Sequence, residues 1–176
     1  MLRVSDINKA YLKRTMRPLY DNTQATPKSC FLDPAWDNSV DIYPGMAVQK
    51  TLGDQVTLTN GTGVLYGLAG IFEAPKLGIT EVTNQGINAF PVWVLGPDAE
   101  FQILAPAFDT AVTWTDPGDG NITLVTAYSS GPLRGTLCPI GAVSSGNVAG
   151  TSPIARLIKV DSATTITIGG LQGRVA

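Results

Sequence analysis

The sequence predicts an all-β protein, a small β-barrel or β-sandwich, with an extended N-terminal arm that could hold a short helix. Short apolar and β-branched runs recur along the chain, and clusters of Gly, Pro, Asn, Asp and Ser separate them. No helical apolar period appears after residue 20. Several short strands with closely spaced turn signals are typical of barrels and sandwiches. The expected organisation is an arm and linker over residues 1–41 and a β-domain over residues 42–176.

Charge is sparse and unevenly distributed. Charged residues make up 15% of the 176 residues, against about 25% in typical soluble domains, which indicates a surface partly hidden in an assembly. Residues 1–20 carry five basic and one acidic side chain, a net +4, and the remaining residues carry seven and thirteen, a net −6, so the two sum to −2. A basic arm on an acidic body predicts a contact between the arm and a partner or a neighbouring copy. The positive charge is too modest for a nucleic-acid-binding tail.

The chain shows no membrane or export signal. No apolar run approaches the roughly 18 residues of a transmembrane helix, and no apolar segment followed by a cleavage site opens the chain. We therefore expect no membrane contact and synthesis inside a cell.

The arm divides into two parts. A thin apolar stripe of Ile7, Tyr11 and Leu12 predicts a short helix that ends before Pro18, with a disordered leader as the alternative. Residues 21–41 have the composition of a loop or linker. Phe31 and Trp36 are costly to leave exposed, so this segment is expected to lie against a surface of its own chain or of another.

The β-domain opens with turn signals. Pro44 and Gly45 predict a type II turn, and Asn60 and Gly61 predict a two-residue hairpin that joins the strand-like run at 56–59 to the one at 64–72. Gly67 and Gly70 flank a small-residue segment in which we expect either a close approach of two backbones or a bulged strand. Further strands are predicted at 90–95, 99–105, 112–115, 122–128, 133–139 (cut by Gly135), 155–161 and 164–170, with turns at 96–98, 116–121, 129–132 and 162–163 and an exposed loop at 141–153.

The residues for common catalytic chemistry are missing. The chain has no histidine, which excludes serine-histidine and cysteine-histidine nucleophiles. Cys30 and Cys138 fit no metal spacing, and we favour free thiols over a disulfide. Asp116, Asp119 and Asn121 superficially suggest a calcium loop, but the predicted neighbours are strands, so a solvated turn is the preferred interpretation. We expect no enzyme activity, no cofactor and no metal; a hydrolase with two carboxylates is the remaining catalytic alternative.

Four segments carry a family resemblance. Residues 43–48 read Tyr-Pro-Gly-Met-Ala-Val, a polar turn containing Gly61 and Gly63 follows, and residues 66–72 and 90–94 read Tyr-Gly-Leu-Ala-Gly-Ile-Phe and Phe-Pro-Val-Trp-Val. Together they resemble capsid decoration proteins of tailed bacteriophages, over roughly residues 42–105. In those proteins a Pro-Gly turn begins the β-domain.

The resemblance implies a structural virion protein with a β-tulip-like fold. It would be made in the host cytoplasm, sit on the outer surface of the capsid as a homotrimer, bind the major capsid protein and cement neighbouring capsomers, without nucleic acid or membrane partners. The expected capsid or inter-subunit contacts are the apolar and basic residues of the arm: Leu2, Ile7, Tyr11, Leu12, Arg14, Arg17, Tyr20, Phe31 and Trp36.

One alternative comes from the aromatic residues. Trp36, Trp93 and Trp114 could form a platform for sugars, as in a carbohydrate- or receptor-binding β-module of a phage tail or fibre. Because Trp93 and Trp114 lie in strand-like runs, core packing is their ordinary explanation.

Overall fold

The computed structural model describes residues 14–19, 25–36, 39–61, 63–73, 90–118, 121–144 and 146–171. Over these ranges the protein is all-β, and no helix there could cross a membrane. The strands are β1 (Met16–Pro18), β2 (Ala25–Leu32), β3 (Ala47–Lys50), β4 (Gln55–Leu58), β5 (Leu65–Ala69), β6 (Phe90–Leu95), β7 (Glu100–Leu104), β8 (Leu124–Ala127), β9 (Leu137–Pro139), β10 (Val143–Ser144), β11 (Asn147–Val148), β12 (Ala155–Ser162) and β13 (Thr165–Gly169).

The strands form a barrel, a six-stranded sheet and a small ribbon. The barrel is closed in the order β2-β4-β3-β5-β6, because β2 pairs antiparallel with β6 from Ala25 to Cys30 and parallel with β4 at Phe31 and Leu32. The sheet has the order β1-β7-β13-β12-β8-β9, and the ribbon consists of β10 and β11. The predicted all-β fold with a barrel is confirmed.

One apolar core joins the barrel to the sheet. In β7, Phe101 and Ile103 point inward and are fully buried, whereas Glu100 and Gln102 are half-buried on the other face, as the alternation predicted. The Trp93 ring of β6 meets the Phe101 ring edge-on at 5.7 Å between centroids. Each such side chain contributes about 1.5–3 kcal/mol when it is buried, so the two layers stabilise each other.

The turn at Pro44 and Gly45 is confirmed. The Met46 N–H donates to the Tyr43 carbonyl at 3.0 Å, and Gly45 has φ 98°, as position three of a type II turn requires. The buried Thr15 hydroxyl donates to the Pro44 carbonyl at 2.7 Å. The turn therefore positions both the start of β3 and the segment that leads into β1.

The predicted hairpin at Asn60 and Gly61 is wrong. β4 and β5 do not pair, because β3 lies between them in the barrel. The tight turn is between β3 and β4, where Gly53 has φ 59°. Asn60 and Gly61 instead begin the connection from β4 to β5, which crosses β3. The Gln49 side chain of β3 fixes this connection, because its Nε2 donates to the Asn60 Oδ1 at 2.8 Å.

The predicted strand at 112–115 is also wrong. This segment is an irregular loop. The Trp114 Nε1 donates to the Asp109 carbonyl at 2.7 Å, and its ring packs edge-on against Phe108. These contacts hold residues 112–115 against residues 108 and 109 of the same loop. The segment therefore does not pair with another strand, although its side chains alternate.

Later predictions were met in part. The last two strands, β12 and β13, form the expected antiparallel pair. The run at 133–139 forms a strand only from Leu137, because Gly135 has φ 82° and lies in a turn. The loop predicted at 141–153 contains the β10–β11 ribbon.

Parts of the predicted arm pair with the body. Residues 16–18 form β1 against β7 instead of the end of a helix, and β2 is a barrel strand. The stripe of Ile7, Tyr11 and Leu12 lies outside the described residues. The division at residue 42 stays a prediction of domain organisation, but a strand that closes the barrel precedes it.

Candidate functional site

The predicted contact residues differ in accessibility. Arg14, Arg17 and Phe31 are exposed, and Phe31 has 50% of its surface accessible. Trp36 is only 9% exposed and belongs to the apolar core, so the surface that it packs against is that of its own chain, one of the two alternatives that the sequence left open. A capsid or inter-subunit contact of Trp36 stays a prediction. The remaining predicted contacts lie outside the described residues: Leu2, Ile7, Tyr11, Leu12 and Tyr20.

The two arginines line one groove, which we call the basic groove. It has a volume of about 560 Å³ and is lined by Arg14, Met16, Arg17, Gln102, Leu104, Asp161, Ser162 and Thr165. Strand β1 positions Arg17 opposite Gln102 of β7. Because neighbouring residues of a strand face opposite sides, Met16 turns towards the core while Arg17 stays outside.

The one carboxylate in this groove is engaged by its own sheet. Burial alone would raise the pKa of Asp161, but hydrogen bonds from Thr167 and Gln102 and the nearby Lys159 outweigh it and lower the pKa. The Thr167 hydroxyl donates to the Asp161 Oδ2 at 2.6 Å, and Lys159 Nζ lies 3.5 Å from its Oδ1. Within the described ranges no ion pair involves Arg14 or Arg17. The groove can therefore offer two guanidinium groups to an acidic partner.

Phe31 lies on the barrel, in strand β2. Its N–H donates to the Asp54 carbonyl at 2.9 Å, beside the β3–β4 turn that carries the exposed Leu52. The barrel thus presents two large apolar side chains near this turn. Both are available to a partner, and neither lines the basic groove.

A buried polar cluster was missed by the sequence analysis. The Tyr128 hydroxyl donates to the Asp109 Oδ2 at 2.8 Å, and both residues are buried. Burial, followed by the hydrogen bond to Asp109, raises the pKa of Tyr128. Burial and then the charge of Asp109 raise the pKa of Cys138 to about 12. No motif in the sequence predicts this cluster, because its members come from separate segments of the chain.

The structure gives no indication that either cysteine is reactive. Cys30 and Cys138 are both free and buried, as favoured from the sequence. A thiol with so high a pKa as that of Cys138 stays protonated at neutral pH and is a poor nucleophile. We interpret the polar cluster around Cys138 as structural.

The tryptophans form no open platform. Trp36 is buried, while Trp93 and Trp114 are half-buried and pack against the core. A sugar-stacking surface needs an accessible ring face. The observation that motivated a carbohydrate-binding module is therefore not met.

The acidic turn that begins at Asp116 is hydrogen-bonded to β12. The Asp116 Oδ1 accepts a hydrogen bond from the Val160 N–H of β12, and the Asn121 N–H donates to the Gly118 carbonyl at 3.0 Å. Asp119 lies outside the described residues. The described atoms of this segment thus stabilise a turn and its contact with β12.

Comparison with known proteins gives one match. A family model described as "phage cement protein" matches residues 1–174. Neither the curated proteins nor the solved structures yielded a match. The family match spans the predicted arm as well as the β-strands.

Proposed function

The chain belongs to the phage cement protein family, which has a structural role in stabilising a phage capsid, and we propose that it binds the outer capsid surface and cements neighbouring capsomers. The basic groove is the observation that carries this proposal. Arg14 and Arg17 are exposed, and no ion pair within the described ranges engages them. They belong to residues 1–20, which carry a net +4 against a net −6 over the rest of the chain.

The proposed partner is an acidic surface of the major capsid protein. Arginine forms planar, bidentate pairs with carboxylates, so two arginines in one groove give orientation as well as attraction. We place the apolar arm residues Leu2, Ile7, Tyr11, Leu12 and Tyr20 in the same contact. Each copy binds weakly, and the repeated capsid lattice multiplies the contacts.

The contribution of the arm to capsid binding cannot be tested by deleting it. Deleting residues 1–41 would also remove β2, which closes the barrel, so loss of binding would only report unfolding. The sharper variant is Arg14→Ala with Arg17→Ala. A charge control is Lys28→Ala with Lys50→Ala, which removes the same charge from exposed positions on the barrel. Because Lys50 also pairs with Asp54 at 3.9 Å and lies over the Tyr66 ring, a thermal melt checks that this variant keeps its fold.

Binding is measured by co-sedimentation with heads of the parent phage assembled without this chain. We expect the arginine variant to bind about tenfold more weakly at low salt, since charged contacts of this kind contribute on the order of 1–2 kcal/mol. The lysine variant should bind like the wild type. Equal losses in the two variants would assign the effect to net charge and contradict a specific role for the groove.

We also propose that the protein acts as a homotrimer. The low charge content of 15% supports a surface partly covered by subunit contacts. Light scattering of the purified chain should give three times the monomer mass of 18.5 kDa. A mass equal to the monomer at all concentrations would restrict trimer formation to the capsid surface or exclude it.

A further inference from the structure

A group of exposed apolar side chains lies around strands β8 and β9, at the β9 end of the strand order of the six-stranded sheet. Four of the seven large apolar residues that are exposed in the described ranges belong to it: Ile122, Ile140, Val143 and Val148. Val143 and Val148 are direct neighbours across the β10–β11 ribbon. The Ile140 N–H donates to the Leu124 carbonyl at 2.9 Å, which brings Ile140 beside the segment that carries Ile122. We call these four residues the apolar edge.

The ribbon has the reverse of the usual polarity. Val143 is 88% and Val148 62% exposed. The polar residues point inward instead: Asn147 is buried and its Oδ1 accepts the Leu133 N–H at 3.0 Å, and Ser144 is hydrogen-bonded to Tyr128. A two-stranded ribbon on a solvated surface normally buries its apolar face and exposes its polar face.

This orientation is fixed by the backbone. The Ser129 N–H donates to the Val148 carbonyl at 2.8 Å, and Tyr128 bridges to Ala149. Moving the ribbon by one residue would turn the valines inward, but it would break these bonds and those of Asn147. The exposure of the two valines is thus fixed by the hydrogen bonds that hold the ribbon.

The surrounding sequence is almost free of charge. The 35 residues from 121 to 155 contain a single charged residue, Arg134, whereas the chain average of 15% would give about five. Depletion of charge distinguishes the centre of a protein interface from the rest of a surface. Apolar exposure and missing charge therefore coincide at this edge.

We propose that the apolar edge docks on an uncharged apolar surface of the major capsid protein, an inference that rests on the proposed function. A side chain of this size presents on the order of 100 Å² when fully exposed, so the four together present roughly 250 Å². A stable pair of free proteins needs about 800 Å² per partner. The edge alone is too small to hold a second copy in solution, but it suffices where other contacts already hold the protein on a lattice.

The position of the edge fits a bridge between two capsid subunits. β1, which carries Arg17 of the basic groove, and β9, beside the apolar edge, are the two outermost strands of the sheet. Five intervals of about 4.8 Å separate them, or about 24 Å. The basic groove extends from β1 across β7 and β13 to Asp161 and Ser162 of β12, so its Arg17 end is the part that lies far from the apolar edge. Contacts of different chemistry at these two places let one protein hold two neighbouring subunits.

The test uses Val143→Ser with Val148→Ser in the full chain. Leu52→Ser is the control, because Leu52 is 79% exposed and lies on the β3–β4 turn of the barrel. Substitutions at exposed positions leave folding nearly unchanged, which a thermal melt checks. Binding is measured with heads of the parent phage assembled without this chain.

We expect the double variant to bind at least tenfold more weakly, while the control binds within twofold of the wild type. If the wild type binds the heads and the double variant binds equally well, the apolar edge is not a docking surface and the proposed function stands. If the wild type itself does not bind, the proposed function fails first. If the wild type is an oligomer in solution and the double variant is a monomer, the edge joins copies of this chain and its assignment to the capsid is overturned.

Discussion

Gly67 offers the sharpest test of the barrel geometry. It lies in β5, opposite Val48 of β3. A Cβ at this position would lie 2.6 Å from the Trp93 carbonyl oxygen and 2.6 Å from the Val92 Cγ1. β6 cannot retreat easily, because it is also paired with β2 in the closed barrel. Gly67→Ala should therefore overpack the barrel.

The expected magnitude is at the upper end for overpacking. Extra methyl groups in a tightly packed interior typically cost about 1–3 kcal/mol. Two contacts are below 3.0 Å, and one of them is with a backbone atom, so we expect a loss of about 3 kcal/mol. For a chain of this length this corresponds to a melting temperature lower by about 6–12 °C.

Gly63→Ala is the matched control. Its Cβ would meet only Gln49 side-chain atoms, at 3.5 Å, which is ordinary contact, and its φ is not left-handed. Alanine there should stabilise the protein by about 0.4–1 kcal/mol, because it restricts the unfolded chain. Urea unfolding followed by tryptophan fluorescence measures both variants. Equal stabilities of the two would refute the inferred close approach of β5 and β6.

Three further predictions concern the buried polar groups. Tyr128→Phe removes the donor to the buried Asp109 carboxylate, and we expect the unfolding free energy to fall by about 1–3 kcal/mol; an unchanged urea midpoint would contradict this. Because burial raises the pKa of Cys138 from 9.0 to about 12, the folded state keeps a proton that the unfolded state loses, so stability should be unaffected below pH 9 and fall between pH 9 and 12. The slope should be about 1.4 kcal/mol per pH unit for this group, and Cys138→Ala should make the measured alkaline slope shallower. Since Cys30 and Cys138 are buried and free, a thiol reagent should label neither in the native protein and both in urea, and rapid native labelling would count against the structure.

The features that sequence predicted well depend on neighbouring residues. The Pro44–Gly45 turn, the alternation of β7 and the pairing of β12 with β13 are all specified within a few positions of the chain. Such local rules need no knowledge of the rest of the fold.

The failures share a long-range cause. Asn60 and Gly61 have ideal hairpin chemistry, but the Gln49 side chain binds the turn and β3 takes the place between the two strands. β2 has the composition of a linker, yet it closes the barrel because β4 and β6 both have a free edge there. Likewise the sequence left open what covers Trp36, which belongs to an apolar core built mostly by strands that come later in the chain.

The two proposed contact surfaces, the basic groove and the apolar edge, also differ in how well the sequence predicts them. The exposure of Arg14 and Arg17 follows from local charge and could be predicted. The apolar edge was missed because alternating patterns predict which side chains share a face, but not that the polar face of the ribbon is the buried one. The near absence of charge from residue 121 to residue 155 is the signal that could have found it.

The capsid-stabilising role is tested most directly by heating phage heads. Heads of the parent phage assembled without this chain are mixed with the purified protein, and the temperature at which they release their DNA is recorded. We expect release at a higher temperature once the protein is saturating, together with its appearance in the sedimented heads. An unchanged release temperature, with the protein left in the supernatant, would contradict a cementing function.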